Sequence, residues 1–105
     1  MKLKKLKIGY ESYDIDWWTA TNATSNEASG EFFAKEKKIG VDSRETGAQL
    51  VNTLIHEALH AVVYHQGLKL GDEQEELIVN SMANGLTGIL VDNPGFVNWI
   101  QENIK

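Results

Sequence analysis

Two of the three histidines in the chain, His56 and His60, are separated by three residues in the run HEALH. On a helix this spacing puts both imidazoles on one face, where their nitrogens can converge on one metal ion. Because the chain has no cysteine, a metal must be held by His, Asp or Glu. Zn²⁺ is the natural ion, and we expect one per chain. Glu57 would then be the general base for a metal-activated water in peptide-bond hydrolysis.

A pattern with only three fixed positions also arises by chance, and the alternative is a helix with two surface histidines. The residues around this motif argue against that alternative. His56 and His60 are flanked by the apolar residues Ile55, Leu59 and Ala61. Unpaired imidazoles in such surroundings are costly, which favours the metal site.

A catalytic zinc needs a third protein ligand and an open fourth position, and the next helix offers acids for this role. Glu75 lies nearest the centre of that helix's apolar stripe, but the pattern D-x-x-E also makes it the capping partner of Asp72. Glu76 lies on the same side as Asn80, whose amide, one turn later, could hydrogen-bond a ligand histidine. We predict Glu76 as the third ligand, Asn80 as the residue that supports a ligand histidine, and Glu75 as the reserve third ligand.

The first part of the chain has the two-residue periodicity of strands. The pattern over residues 3–18 predicts one strand that can bend near Glu11. The small polar residues 19–30 predict a loop. Residues 31–35 and Lys38–Asp42 flank a charged turn and indicate a hairpin.

The second part of the chain has helical periodicity. The pattern T-x-x-Q at residues 46–49 predicts a capped helix start, and the apolar residues within 50–64 surround nearly the whole helix, which indicates burial. A second helix is predicted over 72–92. Asn93 followed by Pro94 is typical of the start of a short last helix.

Length and charge limit the fold and the partners. With 105 residues the chain predicts a single α+β domain, 1–105, since strands come first and helices follow. The net charge is −5, and residues 41–105 carry three basic against nine acidic groups, so we expect no nucleic-acid partner. The basic start lacks the apolar stretch of a signal peptide, and no apolar run reaches the ~20 residues of a membrane span. We therefore expect a soluble cytoplasmic protein without a membrane partner.

A resemblance to a known family rests on three stretches, LIHEALHAVV, EELIVNSMANGL and DNPGFVNWI. They resemble the gluzincins, in which a Glu on the following helix completes HExxH. In particular they are similar to the small metallopeptidases of phages and prophages that are akin to the ImmA/IrrE-type minimal zincins. Over about residues 30–105 the resemblance implies a minimal zincin core. This core has a small antiparallel sheet of about three strands on the HExxH helix, then a ligand-bearing helix and a short C-terminal helix.

The resemblance also implies roles for single residues. His56 and His60 match the zinc ligands, Glu57 the general base, Glu76 the third ligand and Asn80 the residue that orients a histidine. A zinc metalloendopeptidase, hence a hydrolase, follows from these roles. It would act on a protein or peptide in the cytoplasm of a bacterium or a phage-infected host. Extended substrate would bind along an edge strand within 31–41.

Two other functions stay open at this point. One is a zinc-binding, peptidase-like module of phage or prophage origin that binds or regulates without turnover, although a structural site needs no base such as Glu57. The other is a metal-free phage assembly or regulatory protein. The group that would stabilise the oxyanion is not identified, because Tyr64 is predicted to serve packing and His65 to lie on the surface near the helix end.

Overall fold

The computed structural model describes residues 2–22 and 28–105. It confirms an α+β fold in which a helix packs on a four-stranded mixed sheet. Four strands and three long helices are complete within the described residues: β1 (Lys5–Ile8), β2 (Glu11–Trp18), β3 (Gly30–Phe33), β4 (Lys38–Asp42), α1 (Gly47–Gln66), α2 (Asp72–Asp92) and α3 (Pro94–Asn103).

The sheet differs from the predicted one of about three antiparallel strands. Its order is β1-β2-β4-β3, with β1–β2 and β3–β4 antiparallel and β2–β4 parallel. The prediction of one strand over 3–18 is wrong, because the chain reverses at Gly9 and pairs Ile8 with Glu11. Gly9 has a φ of 63°, which glycine adopts without steric cost and which suits a two-residue hairpin turn.

The hairpin predicted from residues 31–35 and Lys38–Asp42 is confirmed as β3 and β4. β4 lies inside the sheet between β2 and β3, so β3 forms one edge and β1 the other. The predicted loop over 19–30 is only partly described, since residues 23–27 lie outside the described residues.

The apolar core lies between the sheet and α1. Its centre is formed by five buried residues: Tyr13, Ile15, Ile39, Val41 and Ala61. The prediction that α1 is buried nearly all round is wrong, because Val51 and Val62 are 39% and 38% exposed. They lie on the side of α1 that neither the sheet nor α2 covers completely. The helix therefore has two packed faces rather than a continuous buried surface.

The sequence predicted where the helices start, but the hydrogen bonds that cap these starts differ from the predicted ones. Among the described contacts, Thr46 is the N-cap of α1 without a side-chain capping bond, and Gln49 donates to Glu45 instead. α2 begins at Asp72 with Gly71 as its N-cap, so the predicted capping box of Asp72 is not formed within the described residues. None of the helices in the described part of the chain has both the length and the apolar composition of a bilayer-crossing segment.

Candidate metal centre

The HEALH motif lies in the middle of α1. The Nε2 atoms of His56 and His60 are 3.2 Å apart. Both side chains are mostly buried, at 18% and 16% exposure. One ligand atom each from His56, Glu57 and His60 lies within 4.8 Å of the other two, so this group could hold a metal ion.

Glu76 of α2 faces the same point. Its Oε1 lies 2.9 Å from Nε2 of His56, and its Oε2 lies 3.1 Å from Nε2 of His60. Ligands of a tetrahedral ion with bonds of 2.0–2.1 Å are separated by about 3.3 Å. The two imidazole nitrogens and the Glu76 carboxylate thus already have nearly the mutual spacing of ligands around one small cation.

Glu75 occupies a different position from Glu76. Its Oε2 lies 2.7 Å from Nδ1 of His60, the nitrogen that points away from His56. In the tautomer with the proton on Nδ1, His60 donates to the Glu75 carboxylate, and the Nε2 lone pair is then directed toward His56 and Glu76. The structural role that we predicted for Glu75 as a capping partner is therefore wrong, and its carboxylate fixes a ring orientation instead.

Asn80 lies in the wall of the cavity in front of these residues. Among the described contacts it makes no hydrogen bond to His56 or His60, and Glu75 is the group that bonds to a histidine Nδ1. The supporting role of Asn80 stays a prediction.

Glu57 projects from α1 toward the sheet edge and is 7% exposed. Burial raises the pKa of this carboxyl to about 7, while nearby His60 lowers it and Glu76 raises it. The backbone N–H of Phe32, in the edge strand β3, donates to the carboxylate. Burial also lowers the pKa of His56 from its usual value, which favours the neutral ring that a metal ligand must have.

A cavity of about 600 Å³ opens over these side chains. The segment 28–32 forms one wall, α2 forms the opposite wall and α1 forms the floor. Gly30 allows β3 to approach α1, since a Cβ there would come within 2.8 Å of Thr53 Cγ2 and 2.9 Å of the Gly40 carbonyl oxygen. The edge strand therefore lies directly beside the residues that could hold a metal.

Two residues of this cavity, Asn52 and Thr53, were not singled out from the sequence. Asn52 precedes His56 by four residues and so shares its helical face, a signal that was available. The expectations for Tyr64 and His65 need correction. His65 is half-buried with Nε2 2.6 Å from the Tyr13 hydroxyl, and Tyr64, although its ring contacts Phe32, is 61% exposed.

Comparisons with known proteins identify no relative of this chain. No protein-family model matches the chain, and no curated protein or solved structure is significantly similar to it. The function of the chain must therefore be inferred from the geometry of the site.

Proposed function

We propose that this chain is a zinc-dependent metallopeptidase of the gluzincin type that cleaves a polypeptide substrate. One observation carries the proposal. Donor atoms of His56, His60 and Glu76 converge to within 2.9–3.2 Å, and the buried carboxylate of Glu57 lies between them and an edge strand. His56, His60 and Glu76 would be the three ligands.

The donor set supports zinc. Two imidazole nitrogens and one carboxylate, without thiolates, are the ligands of many catalytic zinc sites. When bound, Zn²⁺ acts as a Lewis acid and lowers the pKa of a water molecule toward ~7. The carboxylate of Glu75 supports His60 in this role, because its bond to Nδ1 keeps Nε2 available as a ligand atom.

Glu57 supports catalysis rather than a structural metal site. Glu57 directly follows His56 in the sequence. Its carboxylate accepts a hydrogen bond from the backbone N–H of Phe32 at the cavity wall. In the proposed reaction Glu57 takes the proton of the attacking water and delivers it to the amine that leaves. A structural zinc would have four protein ligands and no need of such a base.

The edge strand supports a polypeptide as the substrate. Among the described residues β3 pairs with β4 alone, so its other edge can accept a peptide as an added strand. Of the residues 31–41 that we predicted for substrate binding, those of β4 lie inside the sheet, which restricts this role to β3 (Gly30–Phe33). The proposed phage origin depends on the sequence resemblance alone, and the cytoplasmic location stays a prediction from the sequence.

The test compares zinc-loaded wild type with Glu57→Gln on β-casein, an unfolded protein. Glu57→Gln keeps the size of the side chain but removes the base, so we expect zinc binding to persist and the cleavage rate to fall roughly 10²–10⁴-fold. Glu73→Gln is the matched control, since Glu73 is an exposed acid outside the cavity, and it should cleave like wild type.

Two results would contradict the proposal. Cleavage by Glu57→Gln at the wild-type rate would remove Glu57 from the mechanism. Zinc-loaded wild type that binds β-casein without cleaving it would favour the binding module.

A further inference from the structure

A second cavity of about 360 Å³ lies between α1 and α2. Asn52 belongs to the walls of both this cavity and the larger one over the metal-ligand candidates. From Asn52 the second cavity continues toward the N-terminal end of α1 and the C-terminal half of α2, where Ala48 and Gly88 leave space. The two cavities thus form consecutive parts of one path along α1.

The walls of the second cavity carry amide groups. Asn52 Nδ2 donates to Asn84 Oδ1 at 2.8 Å, and the Thr87 hydroxyl donates to Asn52 Oδ1 at 3.4 Å. Gln49 adds a third amide. A side-chain amide offers two N–H donors and a carbonyl with two lone pairs, so each of these groups can form further hydrogen bonds. Donors and acceptors together match the N–H and C=O groups of a peptide backbone.

The distance between the cavities fits a chain of a few residues. Ala48 precedes His56 by eight residues, which is about 12 Å along a helix. An extended polypeptide covers that distance in about three to four residues. Ser29, which precedes β3, and Asn52 both line the larger cavity, and Asn52 also lines the second cavity, so a substrate along β3 can continue into the second cavity.

We propose that the cavity between α1 and α2 is a substrate subsite, which binds the polypeptide backbone about two to four residues from the cleaved bond. This inference rests on the proposed peptidase function. It assigns Asn52 and Asn84 to hydrogen bonds with the backbone of the substrate, and it makes Gly88 the residue whose missing side chain keeps the subsite open.

Two helical glycines allow a matched experiment. Gly88 lines the second cavity and Gly85 does not, and a Cβ added at either position meets no described atom within 4 Å other than its chain neighbours and the backbone of its own helix. The chain has no cysteine, so Gly88→Cys and Gly85→Cys each introduce a single thiol. Both variants should fold and bind zinc like wild type, because replacing a helical glycine is favourable where there is space.

The first measurement tests binding alone. In the Glu57→Gln background, the rate at which a methanethiosulfonate reagent modifies the thiol is followed with and without β-casein. Saturating β-casein should slow modification of Gly88→Cys at least about tenfold and leave Gly85→Cys unchanged. When binding of β-casein to the variant is established, equal rates with and without β-casein at position 88 would overturn the subsite, whereas a complete lack of β-casein binding would count against the peptidase function.

The second measurement tests the role in turnover. A bulky methanethiosulfonate adduct on Gly88→Cys, with Glu57 intact, should raise KM for β-casein at least about tenfold, and reduction of the adduct should restore it. The same adduct on Gly85→Cys should have no effect. If wild type cleaves β-casein and the adduct at position 88 changes nothing, the subsite is refuted while the peptidase function stands.

Discussion

The two packed faces of α1 have opposite chemistry. Toward the sheet, Leu50, Leu54 and Ala61 contact an apolar core. Toward α2, His56 and His60 contact carboxylates of the neighbouring helix. One face therefore gains free energy by excluding water, and the other brings together polar groups that could hold a metal ion.

Glu57 lies where these faces meet. It is the motif residue that turns toward the edge strand, and it is as buried as the apolar core although it carries a carboxylate. The sheet face thus holds the helix in place, while the α2 face brings together side chains that could hold a metal ion. Substitutions on the two faces should therefore affect different quantities.

The largest expected effect concerns the sheet face. Ile39 is fully buried, and Ile39→Ala should lower the free energy of unfolding by about 2–5 kcal/mol because it leaves a cavity in the core. Zinc affinity of the folded protein should not change. Urea denaturation in the presence of a chelator measures the first quantity and competition with a chromogenic chelator the second. Val62→Ala is the control, since Val62 is 38% exposed and should cost much less. A large loss of zinc affinity in folded Ile39→Ala would refute the independence of the faces.

The next effect concerns the α2 face. Glu75→Ala removes the partner of His60 Nδ1, and such a loss should weaken zinc binding about 10–100-fold. Unfolding of the metal-free protein should change little. Glu73→Ala is the matched control, because Glu73 is exposed two residues earlier on the same helix. Equal zinc affinities for the two variants would show that Glu75 does not support His60.

A smaller effect is expected where a polar contact lies on the sheet side of α1. Tyr13→Phe removes the hydroxyl that bonds to His65 Nε2 and should cost about 1 kcal/mol of unfolding free energy without affecting zinc. Thermal denaturation measures it. Tyr10→Phe should be nearly neutral, since Tyr10 is 84% exposed. A cost for Tyr10→Phe as large as that for Tyr13→Phe would contradict the assignment.

The smallest effect lies before α1, away from both faces. Hydrogen bonds from Arg44 lower the pKa of Asp42 below its usual value. Because the pKa of Asp42 is lower in the folded protein than in the unfolded chain, Asp42 stabilises the fold at pH values above the ordinary carboxyl pKa. This stabilisation is lost as the pH falls through the folded-state pKa. Urea midpoints of wild type and Arg44→Gln should therefore differ at about pH 6 and converge in strong acid. A constant difference across this range would refute the ion-pair contribution.

The sequence predicts much of the helical half because its signals are local. The spacing of HEALH and the periodicity that follows it depend on residues within one or two turns, and the bounds of α2 at Asp72 and Asp92 match the prediction. The hairpin of β3 and β4 is local in the same way.

The features that the sequence did not predict depend on contacts between residues that are far apart in the chain. The turn at Gly9 has no Asn-Gly signal, so one continuous strand fits residues 3–18 equally well. The parallel pairing of β2 with β4 joins segments that are not adjacent in sequence. Helical phase leaves Glu75 and Glu76 as alternatives, because only the packing of α2 on α1 brings one to Nδ1 and the other to Nε2 of His60.

The most direct test of the central claim is the zinc content of three proteins after equilibrium dialysis against buffered zinc. His56→Ala removes a proposed ligand, whereas His65→Ala removes the histidine that bonds to Tyr13 outside the site. We expect about one zinc per chain in wild type and in His65→Ala, and a much lower content in His56→Ala. Equal zinc contents in His56→Ala and wild type, or wild type without zinc, would contradict the metal site and the peptidase function built on it.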